Sequence, residues 1–513
     1  MVRRGFLWVA CLAMVMAGCV SDDTGTAAKA GKAAKKAPGV GGIDAGDLPG
    51  YWVVDNVGAP VTPPEELVKP IHIGEFLTGK AGGEPSGGTT KNGDIFVVAG
   101  LSTMKSTDHG QTWKEVYNHR REGVPGLNGS SDPLLWVDPV TDRIFTDHMF
   151  GLHCSNMAFS DNGGTTWTQR PLVCGVPGND HQKWASGPWS KKGTQLPATP
   201  YPSVVYYCYN KAAGTMAIGQ TWCAVSYNGG LAFQHDQPVV GRQFGHPCGG
   251  INGHPAPAPD GTMYVPLNRG CGRPVVAVTE DNGATWTVRS GPTTFGGAEI
   301  DPDITVTPDG TAYMQYRGSD HQQYLVRSKD KFATWDGPWR VTPPHIYSSV
   351  FAGIASGDNG RIAMAYLATD DYFEAASGTA KNNPALANET VRWHLMITYS
   401  LNAADKEPVF ATTQATPEED PVQIGCIWLS GGGNPCRNLL DFIDMASDKE
   451  GRIFAIIADG CGKGHRNGDC AYNATAKADQ SRSRDVAVGV VVDGPSLVAA
   501  KGRIVDGVVA AKG

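Results

Sequence analysis

One eight-residue pattern, Ser-x-Asp-x-Gly-x-Thr-Trp, recurs along the chain and limits what it can fold into more than any other feature. It is complete at Ser106 to Trp113 and carries Asn162 for the Asp at Ser160 to Trp167. It has Asn228 and a final Phe233 at Ser226 to Phe233, and opens on Thr at Thr279 to Trp286. At Ser328 to Trp335, Phe332 stands where Gly belongs. Successive copies start 54, 66, 53 and 49 residues apart, about the length of one four-stranded antiparallel unit. The residue types suit a hairpin turn: Asp or Asn caps nearby backbone, Gly takes a positive φ, and Trp packs between adjacent sheets.

A second element, a short polar turn followed by an aromatic or β-branched run, occurs seven times. It begins at Asn92, Asp142, Pro202, Asp260, Asp309, Asn359 and Glu450. The last two units lack the box, and Trp393 to Ser400 and Asp485 to Val492 read as their third strands. Together these features predict an all-β fold, a seven-bladed β-propeller of four-stranded antiparallel blades with Asp-box turns, six blades being the alternative. Ile71 to Leu77 is expected to complete the last blade, which removes an exposed edge. The 66 Gly, 35 Pro and 18% charged residues suit a turn-dense β protein.

The five boxes resemble the Asp-box or BNR repeats of the sialidase-like propellers, over roughly residues 80 to 495. That resemblance implies the propeller, a glycan-directed function, and box aspartates with structural roles. Segments such as Asn179-Asp180-His181-Gln182 and Arg437-Asn438-Leu439-Leu440-Asp441-Phe442 are similar to those of bacterial exported members. The sialidase catalytic pattern, three arginines with a Tyr-Glu pair and an Asp, is poorly matched. No Arg-Ile-Pro segment opens the first blade, and Leu367 stands where the segment following Tyr347 would carry Glu.

The N-terminus reads as a targeting segment: Arg3 and Arg4, an apolar stretch from Phe6 to Met16, then a lipobox-like Met16-Ala17-Gly18-Cys19. Residues 1–18 are expected to be a lipoprotein signal peptide, with Cys19 the lipid attachment site. Residues 19–65 are expected to form a flexible tether and N-terminal extension, and 66–513 the propeller. The compartment implied is the cell envelope, lipid-anchored at the outer membrane. Ten further cysteines fall into five neighbouring pairs: Cys154 with Cys174, Cys208 with Cys223, Cys248 with Cys271, Cys426 with Cys436, and Cys461 with Cys470. Local disulfides of this kind contribute about 2–3 kcal/mol each and belong to an oxidising compartment.

In such a propeller the inner strands start at one face, opposite the boxes, and the loops between second and third strands return there. Strand starts then offer Glu84, Asp132, Asp180 with His181 and Lys183, His254, Asp301 with Asp303, and Asp441 with Asp444. The loops offer Asp147 with His148, Asn268 with Arg269, Arg317 with Asp320 and His321, and Asp459. From these, Asp132, His181, His254, Asp303, Arg317 and Asp441 are the catalytic candidates. His148, Lys183, Arg269, His321 and Asp444 are the ligand-binding candidates. Inner-strand Asp and His residues can equally satisfy backbone groups around the channel.

The partner expected is a carbohydrate or other polar ligand, with membrane contact only through the lipid. A net charge of -7 disfavours nucleic acid. A monomer without cofactor is expected. Three functions compete: a glycan hydrolase or lyase, a non-catalytic binding propeller recognising glycan or protein, and, least favoured, a divalent cation held in the channel by His181, His254 and carboxylates.

Overall fold

The computed structural model describes residues 51–54, 64–120, 131–150, 154–174, 179–193, 201–211, 220–240, 251–267, 273–293, 301–370, 391–429, 435–461, 471–472 and 484–506. Seven antiparallel sheets, each with a four-stranded core, form the blades. Their inner strands are Gly87–Thr89, Ser131–Val137, Asn179–Pro188, Ala256–Pro257, Asp303–Val306, Ser348–Ser356 and Asp444–Ser447. Each inner strand packs against the next and the last returns to the first, closing a ring. The seven-bladed expectation is met, and the unit count taken from the second motif was the correct one. Among the described residues no helix is long and apolar enough to cross a membrane.

Closure follows the expected route. His72–Ala81 is the outer strand of blade seven, with Ile73 opposite Val491 and Phe76 opposite Val488. N- and C-terminal segments therefore share one sheet, so no free edge is left at the seam. Tyr51–Val54, within the stretch read as a tether, adds a strand outside Phe410–Gln414 of blade six.

The boxes occupy the turns between third and fourth strands, and their hydrogen bonds explain the repeat. The first hydroxyl accepts the backbone N–H four residues on: Gly110 to Ser106 (2.9 Å), Gly164 to Ser160 (3.0 Å), Gly230 to Ser226 (2.8 Å), Gly283 to Thr279 (3.0 Å) and Phe332 to Ser328 (2.7 Å). The Asp or Asn carbonyl or carboxylate oxygen accepts the N–H four residues beyond itself, as Thr112 donates to Asp108 (2.9 Å) and Thr334 to Asp330 (2.8 Å). The fifth residue takes a positive φ in every copy, 83° to 88° at Gly110, Gly164, Gly230 and Gly283, and 61° at Phe332. Phe332 tolerates that conformation because its buried ring fills space against Trp335 and Tyr264, at centroid distances of 4.5 and 5.6 Å.

The final aromatic of each box packs into the apolar layer between its own blade and the one before. Trp113 joins Ile95 and Val97 with Phe454 and Val488 across the seam. Trp335 joins Val326 with Tyr264 and Val276. The core is thus a ring of inter-blade layers rather than one central mass.

Two expected disulfides are formed, Cys208–Cys223 across neighbouring strands of blade three and Cys426–Cys436. Cys461 is also disulfide-bonded. Cys154 and Cys174 face each other in the strand register of blade two. Cys248, Cys271 and Cys470 lie outside the described residues, as do Cys19 and the rest of 1–50.

Candidate functional site

The inner strands open in an unusual backbone conformation. In six blades a non-glycine residue at or just before the strand has a φ in the left-handed region: Glu84 (52°), Asp132 (48°), His181 (49°), Asp301 (40°), Phe351 (63°) and Leu440 (64°). Each such residue costs about 1–3 kcal/mol and persists only where its surroundings impose it. In blades two, three and six it falls in or beside a break in the strand register. Four of the six carry ionisable side chains, and these four belong to one cluster.

His181 lies at the centre of that cluster, its Nδ1 3.6 Å from Asp301 Oδ1 and its Nε2 3.3 Å from Asp441 Oδ2. Arg437 also donates to Asp441. Lys183, fully buried, sets its ammonium 3.2 Å from Asp301 Oδ2 and 3.0 Å above the centre of the Phe442 ring. Glu84 and Asp180 both feel the carboxyl of Asp132, which raises each of them.

This arrangement sorts the carboxyl groups into those pushed up and those held down. Burial, then the charges of Asp132 and Asp441, push Glu84 well above the usual carboxyl range. Burial and Asp132 push Asp180 up to about 6, against the pull of His181. Burial alone would raise Asp301 too, but Lys183 and His181 outweigh it and hold Asp301 at about 2. Asp441 is likewise kept below its ordinary value, because His181 and Arg437 outweigh burial. Burial opposes the charged form of His181, yet Asp301 and Asp441 raise it well above the ordinary imidazole value. The cluster therefore combines carboxyl groups pushed up and held down with an imidazole whose charged form is favoured.

A second group lies along the central channel. His254 packs edge-on against Phe442, with ring centroids 5.2 Å apart, and its Nδ1 is 3.9 Å from Asp303 Oδ1. Asp303 accepts from its neighbour's N–H at Ile304 (2.8 Å) and from Ile354 of the next blade (2.9 Å). Asp444 does the same with Met445 (2.7 Å) and Gly87 of blade one (3.0 Å). These two aspartates thus clamp adjacent blades, the structural role weighed for inner-strand acids. Burial, then Asp444, raise Asp303 well above its ordinary value; burial raises Asp444 to about 6. Burial and Lys183 lower His254 to about 3, leaving a neutral imidazole.

The structure therefore brings Asp132, His181, Lys183 and Asp441 together, and groups His254, Asp303 and Asp444 beside them. It adds Glu84, Asp180 and Asp301, which the strand-start positions offered but which were not among the catalytic or ligand-binding candidates, and Arg437. Arg317 and His321 instead form their own pair, Nη2 to Nδ1 2.7 Å, with Arg317 also donating to the Ser349 carbonyl at the blade five to six boundary. His148 is buried between blades one and two with its ring 4.2 Å from that of His119. Arg269 lies outside the described residues. Leu367 is fully buried and Tyr347 is 46% exposed, so no carboxylate stands at position 367 to activate that tyrosine.

A seven-bladed ring with boxes at five third-to-fourth-strand turns defines a BNR-repeat propeller. Residues 156–405 match the family described as a BNR repeat-like domain, which is consistent with the sialidase-like BNR propellers that the boxes resemble. No curated protein matches the sequence. Solved structures similar to this chain include a protein of unknown function from Dyadobacter fermentans, at 14% identity over 86% of this chain and 99% of that one, TM-score 0.36. A lectin from Burkholderia pseudomallei matches at 10% identity over 77% and 95%, TM-score 0.47. A leech intramolecular trans-sialidase matches at 13% identity over 84% and 70%, TM-score 0.40. The likeness is too distant to carry residue roles across.

Proposed function

We propose that this protein is an exported, lipid-anchored enzyme that cleaves glycans at the buried cluster by the inner-strand starts. The observation that carries the proposal is the grouping around His181 of Glu84, whose carboxyl is pushed up, and Asp441, which His181 and Arg437 hold down. Two carboxyl groups pushed apart in this way are what acid-assisted cleavage of a glycosidic bond needs. Glu84 would protonate the leaving oxygen as the glycosidic bond breaks, and Asp441, fixed by His181 and Arg437, would stabilise the positive charge that develops on the sugar ring; water then adds to the anomeric carbon and returns its proton to Glu84. Glycans are the substrate class because these donors and acceptors suit hydroxyl-rich ligands, and because the match to the BNR repeat-like domain points the same way.

Export and anchoring rest on the charged and apolar N-terminal segment, on Cys19, and on the disulfides, which need an oxidising compartment. Cys19→Ala should release the protein from membrane fractions. Sialidase chemistry is not part of the proposal, because Leu367 stands where the sialidase pattern carries Glu.

The test is a screen of the mature protein on fluorogenic glycosides, sialosides included, and on uronic-acid polysaccharides, with reducing ends and unsaturated ends both followed. Turnover is expected, and Glu84→Gln or Asp441→Asn should lower it about 1,000-fold, roughly 4 kcal/mol of transition-state stabilisation. Glycan binding with no product from any substrate would instead establish a binding propeller and refute the enzymatic reading.

A further inference from the structure

The group along the channel has a composition that neither the boxes nor the proposed cleavage uses. His254, Asp303 and Asp444 each present one ligand atom, and the three atoms lie within 4.8 Å of one another. They come from three different blades, four, five and seven, so their meeting is a product of ring closure and of no local motif. Both ring nitrogens of His254 are shielded from solvent and have no hydrogen-bond partner among the described residues. A buried imidazole in that condition forfeits two hydrogen bonds, which is costly unless something else occupies a lone pair.

The two carboxylates are oriented by backbone N–H groups from neighbouring blades, Ile354 on Asp303 and Gly87 on Asp444. Such outer contacts fix ligand direction and leave the remaining lone pairs available. All three residues line a channel cavity of ≈ 550 Å³, which provides room for an ion with its water and a route of entry. The nearest competing cation, Lys183, is already engaged by Asp301 and by the face of Phe442.

We propose that His254, Asp303 and Asp444 form a binding site for one divalent cation of borderline hardness, zinc or manganese, that ties blades four, five and seven together at the channel. One imidazole nitrogen with two carboxylate oxygens is a donor set suited to these ions, water completing the shell. His181 takes no part, because both of its nitrogens face carboxylates in the cluster by the strand starts. The ion is structural: it stabilises the ring by binding the folded state alone.

The experiment uses the whole mature protein, stripped with chelator and dialysed, then titrated by calorimetry with Zn²⁺ alone and Mn²⁺ alone. One equivalent of at least one ion should bind, and the thermal midpoint should rise by several degrees. His254→Gln is the informative variant, since no protein hydrogen bond is lost with the ring. It should fold with an unchanged metal-free midpoint and bind about 100-fold more weakly. Asp444→Asn, which keeps an acceptor for Gly87, should weaken binding similarly. No saturable binding of either ion by the wild-type protein, or equal affinity in His254→Gln, would overturn the proposal. Glycan turnover by Glu84→Gln is a separate readout, so failure here leaves the cleavage proposal to stand or fall alone.

Discussion

The box turns and the inner-strand starts use the same residue types to opposite ends. In a box, Asp108 receives hydrogen bonds from the Thr112 N–H and hydroxyl and from Ser106, all within a few residues, and stays at the surface. These bonds outweigh its slight burial and hold it below the ordinary value, as they do for Asp281 and Asp330. At the strand starts, Glu84 is buried against other acids and rises instead. A carboxyl satisfied by its own turn is part of the scaffold; one held against like charge is poised for proton transfer.

Substitutions at three positions sharpen that contrast. The largest stability effect is expected at Phe332, where the box abandons glycine. Phe332→Ala empties an inter-blade space while keeping the left-handed backbone, and should cost about 3–4 kcal/mol in denaturant unfolding. Phe332→Gly relieves the backbone as well and should cost about 1 kcal/mol less. An equal loss in both would show that the positive φ is not strained there.

Next comes Asp147, fully buried in blade two facing Trp184 and Ser155, where burial pushes its carboxyl up to about 8. The folded state keeps this proton to about pH 8, whereas the unfolded chain gives it up near the ordinary value of 3.8. Stability therefore falls as pH rises between those limits. Asp147→Asn removes the dependence, and its advantage over wild type should grow steadily with pH across that window, read as a shift in unfolding midpoint. A constant difference across pH 4 to 8 would contradict the assignment.

The smallest effect is at the surface. Asp108→Ala should cost about 1 kcal/mol at pH 7, measured by chemical unfolding. The sign with pH is the reverse of Asp147: its lowered folded value makes the contribution full above the unfolded value and lost as pH falls through the folded one. Four intact boxes limit the damage, so turnover should be unchanged.

The fold was legible because its determinants are local. Box hydroxyl, box acid, glycine and tryptophan act within eight residues, and the seven second-strand turns repeat at blade spacing. The ring-closing strand was also legible, as Ile73 to Leu77 pair with blade seven where expected. The site was legible only as a list of strand starts. Which members meet depends on contacts across blades, such as His181 with Asp441 and Asp301, that no single-chain pattern specifies. Arg317 and His148 show the cost of reading position alone: both sit in plausible loops or strands, yet Arg317 turns to Ser349 and His148 to His119. Glu84 shows the converse. Its register marked it as a candidate, but only burial against Asp132 and Asp441 reveals that its carboxyl is pushed well above the ordinary value.

The most direct measurement is the titration of the Glu84 carboxyl itself, by carbon-13 NMR of side-chain-labelled glutamate assigned through Glu84→Gln. The account predicts a midpoint well above the ordinary 4.5, shifting downward when Asp132→Asn removes its neighbour's charge. A Glu84 midpoint at or below 4.5 would remove the proton donor and contradict the proposed chemistry.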